Sequence, residues 1–103
     1  MSMTFVEAVL AGSARQEEID AWIDAWHDGP GAESVEEHLG MTLDEYALWV
    51  EEPDALPFII EGHRTGRPVL DTLIEAAALA PAIGDAPRVA SRIIDRLRAV
   101  GRI

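Results

Sequence analysis

The side chains in this sequence suited to holding a metal or moving a proton are three histidines and a large set of carboxylates. A helical metal pair such as HExxH sets two histidines four residues apart on one face. His27, His38 and His63 are spaced far more widely. Cysteine is absent, which excludes disulfides and cysteine-based zinc sites. Adjacent carboxylates occur at Glu17-Glu18, Glu36-Glu37 and Glu51-Glu52. General acid catalysis needs a carboxyl in a dry pocket that shifts its pKa, and these pairs fall on expected solvent faces. Gly29-Pro30-Gly31 has neither the spacing of a phosphate-binding loop nor a following lysine, and no GxSxG is present. The expectation is a protein that is not an enzyme and takes no cofactor and no metal.

Charge points elsewhere. The 103-residue chain has a formal net charge of -11. Residues 1–61 carry 15 acidic side chains against Arg15 alone, a net -14, whereas residues 62–103 carry seven arginines against Asp71, Glu75, Asp85 and Asp95, a net +3. An acidic body repels nucleic-acid phosphates and attracts basic proteins. All eight basic residues are arginine, which reads either as a GC-rich coding bias or as escape from lysine-directed tagging. No apolar run reaches the length of a membrane span, and no basic-then-apolar start marks a signal peptide. The expected location is the cytoplasm.

These side chains must be positioned by helices. Thr4 with Glu7 is a capping box that predicts a helix over Phe5 to Ala11, stopped by Gly12. Ser13 with Gln16 predicts a second helix to about His27, with Ile19, Trp22, Ile23 and Trp26 as its apolar stripe. Gly29-Pro30-Gly31 ends it. Ser34 with Glu37 opens a short helix ending at Gly40, and Thr42 with Glu45 opens the next, which Pro53 ends. Leu39, Met41, Tyr46, Trp49 and Val50 are expected to face inward at this corner. Asp54 is read as the cap of Ala55 to Glu61, with Gly62 as its stop. Pro68 suits a helix start, with Leu70, Leu73, Ile74 and Ala77 as the stripe. Residues 80–84 break that helix, and Asp85 caps a last one with Val89, Ile93, Leu97 and Val100 recurring on one side. No segment alternates long enough to be a strand.

The fold expected is all-α: one small domain of about six or seven short helices, with a helix-turn-helix-like corner and a C-terminal helical pair. Residues 1–62 form the acidic body, 63–67 a loop or hinge, and 68–103 a C-terminal segment packed on the body or used in dimerisation. The Leu39–Thr42 corner has the layout of a DNA-reading motif, but Asp44 and Glu45 occupy the first turn where base edges would be met. Nucleic-acid binding there is not expected. Arg88, Arg92 and Arg96 recur every four residues and make a basic stripe. That stripe either pairs with the acidic body or contacts nucleic acid or a second copy.

The run HLGMTLDEYALWVEEPDALPFI, preceded by IDAWHDG, resembles a group of small acidic proteins of bacterial and phage genomes that share LGM-T-xx-EY-xx-W-xxx-P-xx-L. The likeness covers about residues 5–64. Some of these proteins lie beside toxin genes, which implies a toxin–antitoxin-like pairing and transfers no site residue.

Together these readings predict a non-catalytic protein-binding module, an antitoxin or inhibitor whose acidic face neutralises a basic partner such as a toxin or nucleic-acid-binding enzyme. The expected contacts are Glu17, Asp20, Asp24, Glu45 and Glu52, with Trp22, Tyr46 and Trp49 as aromatic anchors. The alternatives are a phage anti-defence mimic of nucleic acid, and a transcriptional regulator that binds DNA as a homodimer through its arginine-rich last helix.

Overall fold

A computed structural model describes residues 3–29, 33–78 and 86–101. Those residues form seven α-helices and two 3-10 turns, with no strand among them. The helices are α1 (Phe5–Leu10), α2 (Ile19–Asp28), α3 (Val35–Leu39), α4 (Leu43–Glu51), α5 (Leu56–Thr65), α6 (Val69–Ala78) and α7 (Ala86–Ala99). The chain divides into two compact units, Met1–Val50 and Glu51–Ile103. The division falls before the boundary that the charge pattern suggested at Gly62. The break at Pro30-Gly31, the one at residues 80–84 and the Asp85 cap lie outside the described residues.

In the first unit, local capping sets the helix starts. Thr4 Oγ1 accepts the Glu7 N–H at 3.1 Å while the Thr4 N–H donates to the Glu7 carboxylate at 2.9 Å. Thr42 and Glu45 make the same reciprocal pair at 3.1 and 2.8 Å. Ser34 caps α3 with one bond to the Glu37 N–H. The expected Ser13 cap is not the one used. A 3-10 turn, Gln16–Glu18, leads into α2, and the Glu18 carboxylate accepts the Arg15 N–H. Both boxes place a hydrogen-bonding side chain three residues on, but Glu18 is an anion and complements the helix dipole, which Gln16 does not. Helices α1 and α2 both pack on α3, and Phe5 and Leu39, each 0 % exposed, mark the core.

The Thr4 bonds have a pH consequence. The backbone bond from Thr4, and next its side chain, hold the Glu7 carboxyl below its ordinary 4.5. A carboxyl depressed in the folded state stabilises above its ordinary value, and that contribution is lost as pH falls through the lower folded value. An NMR titration of the Glu7 side-chain carboxyl is therefore expected to give a midpoint below 4.5. A midpoint at or above that value would show that the cap is not formed.

In the second unit, a 3-10 turn (Pro53–Ala55) follows α4 and leads into α5. Gly62 does not stop α5; the helix runs on to Thr65 and is closed by Gly66 at φ 72°. The reason is space. A Cβ at Gly62 would lie 2.6 Å from the Arg67 carbonyl oxygen, and the Arg67 N–H donates to the Gly62 carbonyl at 2.8 Å. The glycine admits the returning chain and does not end the helix. His63, Arg64 and Thr65, expected in a hinge, are helical, and the turn is confined to Gly66–Pro68. Helix α6 packs on α5 and on α7, so the C-terminal pair is covered within this unit of its own chain. Ile59, Leu73 and Ile93, each 0 % exposed, are its core. On α6 the buried face is Thr72 and Leu73, while Ile74, expected inward, is exposed. On α7 it is Ala90, Ile93, Ile94 and Leu97, and Val100 is exposed past the helix end.

Candidate functional site

The acidic side chains expected to meet a partner separate into exposed and internally bonded groups. On α2, Ile19, Trp22, Ile23 and Trp26 turn inward as their spacing demands, which sends Asp20, Asp24 and Asp28 to the opposite, exposed side. They recur every four residues, at about 6 Å of rise. Glu17 is exposed in the turn before the helix. Among the described residues these four carboxylates enter no ion pair, so their charge is presented outward.

Glu45 is committed to the Thr42 cap, where its carboxylate accepts the Thr42 N–H. Glu52, expected at the partner face, is buried at 5 % exposure. Its carboxylate takes Arg92 Nη1 at 2.8 Å and Arg96 Nε at 3.1 Å, while Arg92 Nη2 reaches Asp54 at 2.9 Å. Glu52 is thus removed from any contact surface. Arg92 and Arg96 are likewise spent on holding α7 to the 53–55 turn, and of the three stripe arginines Arg88 is exposed without an ion pair among the described residues. The sequence placed Glu52 on a solvated pair with Glu51 because nothing local shows two arginines arriving from 40 and 44 positions away.

The aromatic residues also differ in role. Trp22 stands edge-on to Phe5, with centroids 5.7 Å apart at 67°, and tilts against His38 at 5.7 Å. It joins α2 to α1 and α3, and is not a free anchor. Tyr46 and Trp49 are half-buried neighbours on α4, their rings 6.0 Å apart. Sequence reasoning missed Glu33. Its carbonyl accepts the Trp26 indole N–H at 2.8 Å, and its carboxylate accepts His38 Nδ1–H at 2.9 Å. His38 Nε2 is buried and has no hydrogen-bond partner among the described residues. A glutamate lying just after a Gly-Pro break and between a tryptophan and a histidine is the one signal that pointed there.

Sequence reasoning also reversed one face of α4. Val50, expected inward, is 56 % exposed and Leu43 is 67 % exposed, whereas Leu48 is buried at 3 %. The helix is apolar on two sides, and its sequence alone does not say which is covered.

In the second unit, a cleft of about 320 Å³ lies beside the Glu61–Arg64 and Arg67–Glu75 pairs. The Arg64 bonds hold the Glu61 carboxyl below its ordinary 4.5 and raise the Arg64 guanidinium. Each arginine there already faces a carboxylate. Among the described residues no group of three or more histidine or carboxylate side chains is placed to hold a metal, and no helix is long and apolar enough to cross a membrane. Compared with protein-family models, curated proteins and solved structures, the chain matches none.

Proposed function

We propose that the protein is a non-catalytic binding module of the antitoxin or inhibitor kind, whose first unit covers a basic site on a partner protein. The observation that carries this reading is the coincidence of charge with structure. Met1–Val50 holds eleven acidic side chains against Arg15, a net -10, while Glu51–Ile103 holds eight against seven arginines, a net -1. The acid is concentrated on one unit, and its outward stripe on α2 (Asp20, Asp24 and Asp28) has no internal partner among the described residues. A field of one sign speeds encounter with an opposite surface and makes binding salt-dependent. The likeness of the LGMT corner to small acidic proteins encoded beside toxins points the same way.

Affinity purification of the full chain from its source cell, at low and at high salt, tests this. A basic protein is expected to be retained at low salt and released as salt rises, and Asp20→Asn with Asp24→Asn is expected to weaken retention about tenfold or more. Recovery of no partner at low salt would overturn the reading. A second reading, mimicry of nucleic acid, draws on the same regular α2 stripe. It predicts that the partner's nucleic acid competes for the site. Regulation through α7 is less supported, since Arg92 and Arg96 are engaged by Glu52.

A further inference from the structure

Helix α4 buries one apolar side and exposes another. Leu48 is the buried residue, while Leu43 and Val50 are 67 % and 56 % exposed. Between them Tyr46 and Ala47 are half-buried, so the four residues occupy i, i+3, i+4 and i+7 and form one stripe. Exposed Asp44 flanks it on one side. Trp49, its ring 6.0 Å from that of Tyr46, flanks it on the other. Isolated exposed apolar residues need no explanation, but a helical stripe of them beside two aromatic rings has the layout of a recognition helix for a protein groove.

We infer that this stripe is the docking surface for a basic protein partner, which buries Leu43, Ala47 and Val50, seats against Tyr46 and Trp49, and brings arginine or lysine to Asp44. The inference rests on the protein-binding reading above and names its contact. Charge selects the occupant. A second copy would set one net -10 unit against another and is repelled. Anionic lipid and nucleic acid are repelled by the same field. A basic protein surface is the occupant that this field attracts. The carboxylates steer the encounter, while apolar burial and aromatic anchors supply most of the affinity at an interface.

The test uses the full chain and synthetic peptide probes. One peptide carries leucines at helical spacing flanked by arginines; a second has the same composition scrambled to remove the stripe. The striped peptide is expected to bind more tightly than the scrambled one. Leu43→Ser with Val50→Ser is expected to reduce its affinity about tenfold or more, with helix content unchanged, because both side chains are exposed. Asp71→Asn with Asp95→Asn, exposed on α6 and α7 of the second unit, is expected to change it by no more than about threefold. If both peptides bind alike, or the α4 variant binds as the parent does, the docking surface is wrong while the acidic-module reading stands. If neither peptide binds at low salt, the acidic-module reading itself fails. Dimerisation on light scattering that the α4 variant abolishes would assign the stripe to a second copy and overturn the inference. Binding to phosphatidylserine vesicles lost in the same variant would overturn it as well.

Discussion

Gly40→Ala is expected to destabilise the first unit by about 2–5 kcal/mol, a large share of what holds a small domain together. Three effects meet at this residue. Gly40 closes α3 in the left-handed region at φ 80°, and the Met41 N–H returns to the Glu36 carbonyl at 2.9 Å. That geometry costs an alanine about 1–2 kcal/mol. A Cβ there would lie 2.5 Å from Thr4 Oγ1 and 2.7 Å from Thr4 Cβ. Thr4 is too short to swing clear, and it is the residue that caps α1. Moving it removes a cap worth about 1 kcal/mol. Gly66 provides the control: it has φ 72° but open space around it. Gly66→Ala is expected to cost only the backbone term, about 1–2 kcal/mol. Urea denaturation followed by circular dichroism compares the two. Thr4→Gly should bring the cost of Gly40→Ala down to that of Gly66→Ala, since it removes the atoms that clash. Equal costs for the two alanines in the parent chain would show that the close approach of α3 to Thr4 is absent.

The second large effect lies at Glu52. Arg92→Ala together with Arg96→Ala is expected to cost about 3–5 kcal/mol, because it strands a buried carboxylate. The Glu52 side chain is 6 % exposed, whereas those of Arg92 and Arg96 are 50 % and 61 % exposed. The pairing is therefore asymmetric. Each single alanine leaves one guanidinium on the carboxylate and is expected to cost about 1 kcal/mol. Glu52→Gln frees two half-exposed arginines that rehydrate, and is expected to cost less than the double arginine variant. In the Glu52→Gln background the double alanine change should fall to about 1 kcal/mol or less. The same urea measurements give the cycle. If the double variant costs no more than the sum of two small singles in the parent chain, the carboxylate is not held as the geometry indicates.

The helix starts at Thr4, Ser34 and Thr42 were legible because each depends on a bond between residues three apart, and the inward stripe of α2 was legible from its helical spacing. Errors arose where two local signals competed or where a distant residue decided. Ser13 and Arg15 both precede a suitable side chain by three, and the charged Glu18 prevailed. Gly62 carries the signal of a helix stop and is instead the gap through which Arg67 packs. Val50 and Leu48 both sit at apolar spacings on α4, and exposure falls to Val50.

By itself the sequence determined the all-helical class, most helix starts, the glycine that turns the chain at position 40, and the concentration of acid in the N-terminal part. Each is a property of composition or of residues within one helical turn. Tertiary structure alone decided that Glu52 lies inside with Arg92 and Arg96, that Trp22 meets Phe5 and His38, and that α4 shows Leu43 and Val50 outward. A helix with two apolar sides, or a carboxylate beside another carboxylate, has no preferred side until packing within the folded chain covers one and leaves the other to water.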